Sequence, residues 1–208
     1  DAISRYKLND ASLTYSRDSS ASLGQGFRCG FLGLLHLDIF QQRLEREFDV
    51  SVIMTAPSVE YQFVLTDGEE ISVQNPQYYA NENEIERSLE PFVRASILIP
   101  DSYMGSVMKL CLGRRGVNPH YHYVGTGRME VMIDMPLAEI IYDFYDRLKS
   151  ITRGYGTFDY EFLEYREENL VKVDFLVNKE KVDALSIIVH RDRARQRGLE
   201  VCEGLKKE

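Results

Sequence analysis

The sequence predicts an α+β chain: two small sheet-and-helix domains and then a shorter basic piece. Three observations carry this. Apolar residues recur at period two in some stretches and at steps of three and four in others, which are the marks of strand and helix. The order of these stretches over residues 93–162 is strand, helix, strand, strand, helix, strand. Charge is unevenly spread, with net −7 over residues 1–87, −3 over 88–168 and +2 over 169–208.

The elements follow in order. Residues 1–8 read as the end of an amphipathic helix, and Leu13 and Tyr15 as a short strand. Ser16 to Gly33 is rich in Ser and Gly and is expected to be a flexible loop running into a strand near Phe27–Phe31. Leu37, Phe40, Leu44 and Phe48 then line one face of a helix, with Arg43, Glu45, Arg46 and Glu47 largely on the other. Ser51–Thr55 and Val59–Leu65 are strand-like, with a bend at Pro57, and Asp67-Gly68 is a turn. Residues 69–87 show little apolar period and are expected to be a connector, with a short helix near Glu82–Arg87.

The second half is clearer. Val93, Ala95, Ile97 and Ile99 form one strand face, Pro100 stops the strand and Asp101 can cap a helix. Met104, Val107, Met108, Cys111 and Leu112 make the helix stripe, and Gly116 ends it. Tyr121–Val124 and Met129–Met135 are strands around the turn Gly125-Thr126-Gly127. Pro136 opens a second helix whose apolar face is Leu137, Ile140, Ile141, Phe144 and Leu148. Gly154 and Gly156 flank the start of a strand with Phe158, Tyr160 and Phe162. This order is the split βαβ, or ferredoxin-like, arrangement. The first half reads as a related but truncated version. Beyond 169, Val171, Val173, Phe175 and Val177 alternate as a strand, Asn178–Lys181 turns, Leu185, Ile187 and Val189 suggest another strand, and Arg193–Lys207 a helix.

Composition excludes several classes. With 208 residues, 44% apolar and net charge −8, the chain is neither wholly disordered nor a basic coat for nucleic acid. No run of about eighteen apolar residues occurs. Cys29, Cys111 and Cys202 form no CxxC pair, so neither a zinc knuckle nor a disulfide framework is indicated, and a reducing compartment is the simplest setting. The start lacks the pattern of a signal peptide and an initiator methionine, and the chain reads as beginning mid-protein.

Familiar motifs fail on inspection. Gly24-Gln25-Gly26 and Gly30 have the spacing GxGxxxG, not that of a dinucleotide site. There is no phosphate loop, Asn178-Lys179-Glu180-Lys181 lacks the final aspartate of a guanine-reading sequence, and Arg197 stands where a kinase catalytic loop needs asparagine. His120 and His122 lack a third ligand, and His36 has no nucleophile beside it. One cluster remains: His190-Arg191-Asp192-Arg193-Ala194-Arg195-Gln196-Arg197, whose planar donors suit phosphate oxygens but equally suit a solvated helix face. From the residues alone, the chain is a binding fragment without a self-sufficient active site.

Longer strings carry a resemblance. Gly26-Phe27-Arg28-Cys29-Gly30-Phe31-Leu32-Gly33-Leu34-Leu35-His36 resembles the signature of the LepA family of translational GTPases (elongation factor four). Thr55–Val59, Tyr103–Met108, Arg114-Arg115-Gly116, Pro136–Ile140, Gly154-Tyr155, Phe158–Glu161, Lys181–Ser186 and His190-Arg191-Asp192 match the same family in order. The resemblance implies a family third domain over 1–87 and an elongation factor G-type fifth domain over 88–168, both ferredoxin-like. Residues 169–208 would be the start of the family-specific C-terminal domain. It implies a fragment without the GTPase domain, so that GTP and magnesium belong to the absent part and the fragment itself holds no cofactor, metal, catalytic residue or small-molecule substrate. The implied partners are the ribosome, through ribosomal RNA and proteins, and tRNA. The implied setting is the cytoplasm, with peripheral association of the parent at the inner membrane face. Lys179, Lys181, His190, Arg191, Arg193, Arg195 and Arg197, with Arg114 and Arg115, become the candidates for RNA phosphates; for the last two, capping of a helix C-terminus is an equal reading. The alternative is the equivalent fragment of elongation factor G, from which the string Lys181–Ser186 separates this chain, and a free-standing enzyme is the blander third class.

Overall fold

The computed structural model describes residues 2–20, 24–32, 34–52, 59–141 and 143–205. Two compact units emerge, one made of 1–56 with 174–185 and the other of 57–173 with 186–208.

In the first unit, α1 (Ala2–Lys7) precedes β1 (Thr14–Ser20) and β2 (Gly24–Gly30), and α2 spans Leu34–Phe48. The stripe on α2 behaves as its spacing predicts: Phe40 and Leu44 are buried with Tyr6 and Leu13, and Phe48, Phe31 and Ile3 pack around them. Arg43 lies over the Tyr6 ring at 4.8 Å. The Ser- and Gly-rich stretch departs from expectation. Residues 16–20 and Gly24–Gly30 are not loop but two strands of an antiparallel ribbon, in register from Thr14↔Gly30 to Ser20↔Gly24, and the strand expected near Phe27 is the end of the second. Main-chain hydrogen bonds build such a ladder without apolar side chains, and Arg28 pairs Asp18 across it at 2.8 Å. At Gly30 a Cβ would meet the Thr14 hydroxyl at 2.4 Å, so that side chain would have to turn away. Of the expected strand Ser51–Thr55, Ser51 and Val52 are not in a strand and the rest, with the bend at Pro57, lies outside the described residues.

The second unit carries an antiparallel sheet. β3 (Tyr61–Leu65) and β4 (Glu70–Val73) form a hairpin, β5 (Ile85–Pro100) is long, α3 spans Met104–Gly113, and β6 (Val117–Tyr123) and β7 (Arg128–Pro136) form a second hairpin. A 3-10 turn at Leu137–Glu139 leads to α4 (Phe144–Ile151) and β8 (Thr157–Glu167). The strand order is β4-β3-β5-β7-β6, with β8 on the other side of β5. From β5 to β8 this is the split βαβ order expected. Val93, Ala95, Ile97 and Ile99 are buried against Val107, Cys111, Val131, Ile133, Phe144 and Leu148. Two details differ. Leu112 is 53% exposed and Leu110 packs instead. Asp101 does not cap; it begins a 3-10 turn at Asp101–Tyr103.

The expected connector 69–87 is largely structured. Glu-Ile-Ser-Val forms β4, two 3-10 turns replace the short helix, and β5 already begins at Ile85, so residue 87 falls inside a strand. A strand of four residues shows too few alternations to be read from sequence. The alternation Val171–Val177 also runs across a break: β9 is Leu170–Val173, β10 is Leu176–Val177, and β10 pairs only with β11 (Glu180–Lys181) among the described residues. β12 (Ile187–His190) pairs β9, and α5 (Arg191–Leu205) follows. Lys206 and Lys207 lie outside the described residues. The β9–β12 ribbon belongs to the second unit, where Leu170 and Ile188 share a core with Val59, Tyr61, Phe63 and Val73. The Tyr61 hydroxyl donates to the Ile188 carbonyl at 3.1 Å.

Gly116 closes α3 by a route other than the one expected. The left-handed residue is Arg115 (φ 61°), whose N–H donates to the Leu112 carbonyl, while the Gly116 N–H donates to Cys111 at 2.9 Å. This is the Schellman pattern. Gly116 is needed for room, because a Cβ would meet Ile133 Cδ1 at 2.7 Å and the Cys111 carbonyl at 2.8 Å. Gly116→Ala is therefore expected to destabilise the chain by about 1–3 kcal/mol, read as a lower urea midpoint.

Candidate nucleic-acid interface

The basic residues singled out from sequence separate into two groups. Lys179 and Lys181 stand on the β10–β11 hairpin of the first unit; Arg114, Arg115, His190, Arg191, Arg193, Arg195 and Arg197 are all in the second. In the hairpin, Asn178 and Lys179 both have positive φ, 53° and 71°, the geometry of a tight primed turn. A lysine in that region is strained, which leaves its exposed side chain at the tip of the turn. Lys181 pairs Asp174 at 2.8 Å.

In the second unit most of the cations face inward. Glu139 is buried, 5% exposed, and three guanidiniums surround it: Arg114 at 3.7 Å, Arg193 at 3.6 Å and Arg197 at 3.7 Å. Arg193 also donates to the Gly113 carbonyl at the end of α3. Arg114 reaches Asp143 at 2.6 Å, and Arg147 meets the same carboxylate at 2.5 Å. Burial works to raise the Asp143 carboxyl, but these two guanidiniums hold it below the usual range. Arg193 and Arg197 are four residues apart, so helical geometry puts both on one face of α5.

A second buried carboxylate lies nearby in the sheet. Glu90, on β5, is 1% exposed and pairs Arg115, which also meets Glu168 at 3.3 Å. Burial pushes the Glu90 carboxyl up, against the pull of Arg115. His190 donates toward Glu168 at 3.3 Å through Nε2 and accepts the Asp192 N–H at Nδ1. That accepting nitrogen fixes the neutral tautomer, and burial, then the Arg115 guanidinium, push the imidazole pKa down.

Two arginines of the cluster face outward. Arg191 is exposed and its Nε donates to Asn169 at 3.3 Å, while Arg195 is exposed and makes no ion pair among the described residues. The side chains that sequence reasoning missed are Glu90, Glu139, Asp143 and Glu168. A signal existed for two of them. Glu90 interrupts the apolar run Leu89–Val93, and Glu139 stands between Ala138 and Ile140, so each needed a cationic partner if buried. Among the described residues no group of His, Cys, Asp and Glu is arranged to hold a metal, and no helix is long and apolar enough to cross a membrane. Cys111 is inert as a nucleophile, its thiol pushed up to about 12 by burial.

Arg115→Met leaves Glu90 buried without its guanidinium, and a loss of about 3 kcal/mol or more is expected in chemical denaturation; adding Glu90→Leu is expected to recover most of it. His190 gives a pH signature. Its folded pKa is below the unfolded one, so below about pH 6.5 the unfolded chain takes up a proton the folded chain refuses. Stability is expected to fall as pH drops from there through the lowered value, and His190→Gln to flatten that portion of a stability-against-pH curve.

Comparison with known proteins places this geometry. Residues 87–175 match the family described as Elongation factor G C-terminus. Elongation factor 4 of Syntrophobacter fumaroxidans is 61% identical over 208 residues, covering 100% of this chain and 35% of that protein. Elongation factor 4 of Syntrophus aciditrophicus is 60% identical over 207 residues, and that of Borreliella burgdorferi 48% identical over 207 residues, covering 35% and 34% of those proteins. The chain thus spans about a third of the length of the curated relatives it matches. A solved protein of Thermus thermophilus shares the fold, with a TM-score of 0.56 at 19% identity over 80% of this chain and 38% of its own.

Proposed function

The chain belongs to the elongation factor 4 (LepA) family, as a C-terminal part of a translational GTPase, and from that premise we propose that it is the ribosome- and tRNA-contacting portion, with GTP and magnesium handled by sequence outside it. The parent's work is on stalled or mis-translocated ribosomes in the cytoplasm. The domain division 1–87, 88–168 and 169–208 is kept as part of this proposal.

The observation that carries the reading is the sorting of cations in the second unit. Arg193, Arg197, Arg114 and Arg115 are committed to buried carboxylates, while Arg191 and Arg195 project from α5 into solvent. A helix whose inward arginines fix its position and whose outward arginines face solvent is suited to the phosphate backbone of RNA. Lys179 and Lys181 add two further candidates on the hairpin. His190, with its neutral tautomer, positions Glu168 and the start of α5 and does not contact phosphate. The elongation factor G alternative accounts for residues 87–175 but not for identity along the full chain.

Binding to purified ribosomes across a salt series tests this. Replacing Arg191 and Arg195 together by Gln is expected to reduce the slope of log affinity against log salt by about one to two. Arg193→Gln with Arg197→Gln is expected instead to loosen α5, seen as faster amide exchange in that helix. An unchanged slope in the first variant removes Arg191 and Arg195 from the contact surface.

A further inference from the structure

We infer that the groove between α3 and β6 is a stacking site for an unpaired base of single-stranded RNA, with Tyr121 and Tyr123 as its platform. This rests on the ribosome-binding reading above and adds a second, chemically different contact to it.

β6 is an edge strand, and every residue in it is exposed. Its register sets Tyr121 opposite Val131 and Tyr123 opposite Met129. Those partners are buried on the helix-covered side of the sheet, so both tyrosines face that side too. They are nonetheless 61% and 64% exposed. Two large rings two residues apart on one strand face are thus left uncovered. Met104 and Met108 of α3 form the opposite wall and Met129 the floor of an open groove of about 570 Å³. Thioethers adapt to irregular partners and pack well on aromatic faces.

The charge along the sheet edges bears on the occupant: Asp101 is the charged side chain lining the groove, and His120 and His122 lie on the opposite face of β6 from the tyrosines. Residues 117–128 contain no carboxylate and include His120, His122 and Arg128, in a chain of net charge −8. The opposite edge, β8, carries Asp159, Glu161, Glu164 and Glu167. A polyanion is therefore tolerated at one edge of the sheet and repelled at the other. Glu130, beside the other face of β6, is held by His122 at 3.2 Å and Ser96 at 2.6 Å. Asp101 and Ser102 line one end of the groove. They supply acceptors for the amino and imino groups on a base edge, the groups by which unpaired bases are read. A peptide strand is disfavoured, because Pro119 and the register shift between Val117 and His120 interrupt the edge.

The probe is a fluorescently labelled, unstructured RNA of about a dozen nucleotides, compared with its duplex, in anisotropy titrations of the full chain. Both tyrosines are exposed, so their replacement should leave far-ultraviolet circular dichroism unchanged. Tyr121→Ala with Tyr123→Ala is expected to weaken single-strand binding on the order of tenfold or more, without changing the salt slope, because stacking releases no counterions. Tyr121→Phe with Tyr123→Phe is expected to retain binding, and the duplex to bind more weakly than the single strand. The proposal is overturned if the alanine variant binds like the parent, if the phenylalanine variant loses as much as the alanine variant, or if duplex and single strand bind alike. Binding that depends on Arg191 and Arg195 but ignores both tyrosines overturns this proposal alone. No binding to either nucleic acid overturns it together with the RNA reading of the arginines.

Discussion

A carboxylate buried among apolar side chains has to be matched, and the match at Glu139 governs the second unit. Three guanidiniums approach it from two directions, Arg114 from the end of α3 and Arg193 and Arg197 from α5. Ion pairs of this kind contribute little net stability, since desolvation offsets most of the attraction. What they do impose is position. Rotation of α5 about its axis would withdraw Arg193 and Arg197 from Glu139 and leave Arg114 as its ion-pair partner, so the orientation of the remaining α5 arginines is tied to a buried carboxylate.

The same logic extends through Glu90. Arg115 occupies a left-handed backbone position that a glycine would take more readily, at a cost of about 1 kcal/mol. The side chain gained there is the one that neutralises Glu90 and reaches Glu168, which in turn orients His190 at the foot of α5. The end of α3 thus serves three purposes in three consecutive residues: Arg114 for Glu139, Arg115 for Glu90, and Gly116 for the close approach of Ile133. Helix-dipole capping, the reading available from sequence for the two arginines, is at most a secondary part of what they do.

Which features could be read from sequence follows from the range of the interactions that make them. The strand Val93–Ile99 and the helix stripes at Phe40–Leu44 and Phe144–Leu148 depend on local alternation against a core, and they were legible. β1 and β2 were legible only at their outer ends, around Tyr15 and Phe27, because the Ser- and Gly-rich remainder is held by main-chain bonds that leave no apolar pattern. The run Val171–Val177 alternates without a gap, yet the strand ends at Val173, since pairing with β12 covers only Leu170–Val173. In the candidate interface, the arginine cluster was visible as composition. Its division into inward and outward members was not, because the deciding carboxylates at 90, 139 and 168 are remote in sequence and meet the arginines only after the sheet has formed.

On the proposed reading, an acidic chain that binds RNA has to keep its charges apart. Here the separation is built from both sheet and helix. Carboxylates line the β8 edge, an acid-free strand with two tyrosines forms the β6 edge, and the buried carboxylates are neutralised by arginines drawn from α3 and α5. Neutralising the interior acids with cations from the same helix that carries Arg191 and Arg195 has a further consequence. It limits the outward positive charge on α5 to a few residues, which on the proposed reading makes any contact with RNA phosphates modest and salt-sensitive. Discrimination on that reading has to come from contacts that do not depend on charge, and the exposed Tyr121 and Tyr123 are proposed to supply them.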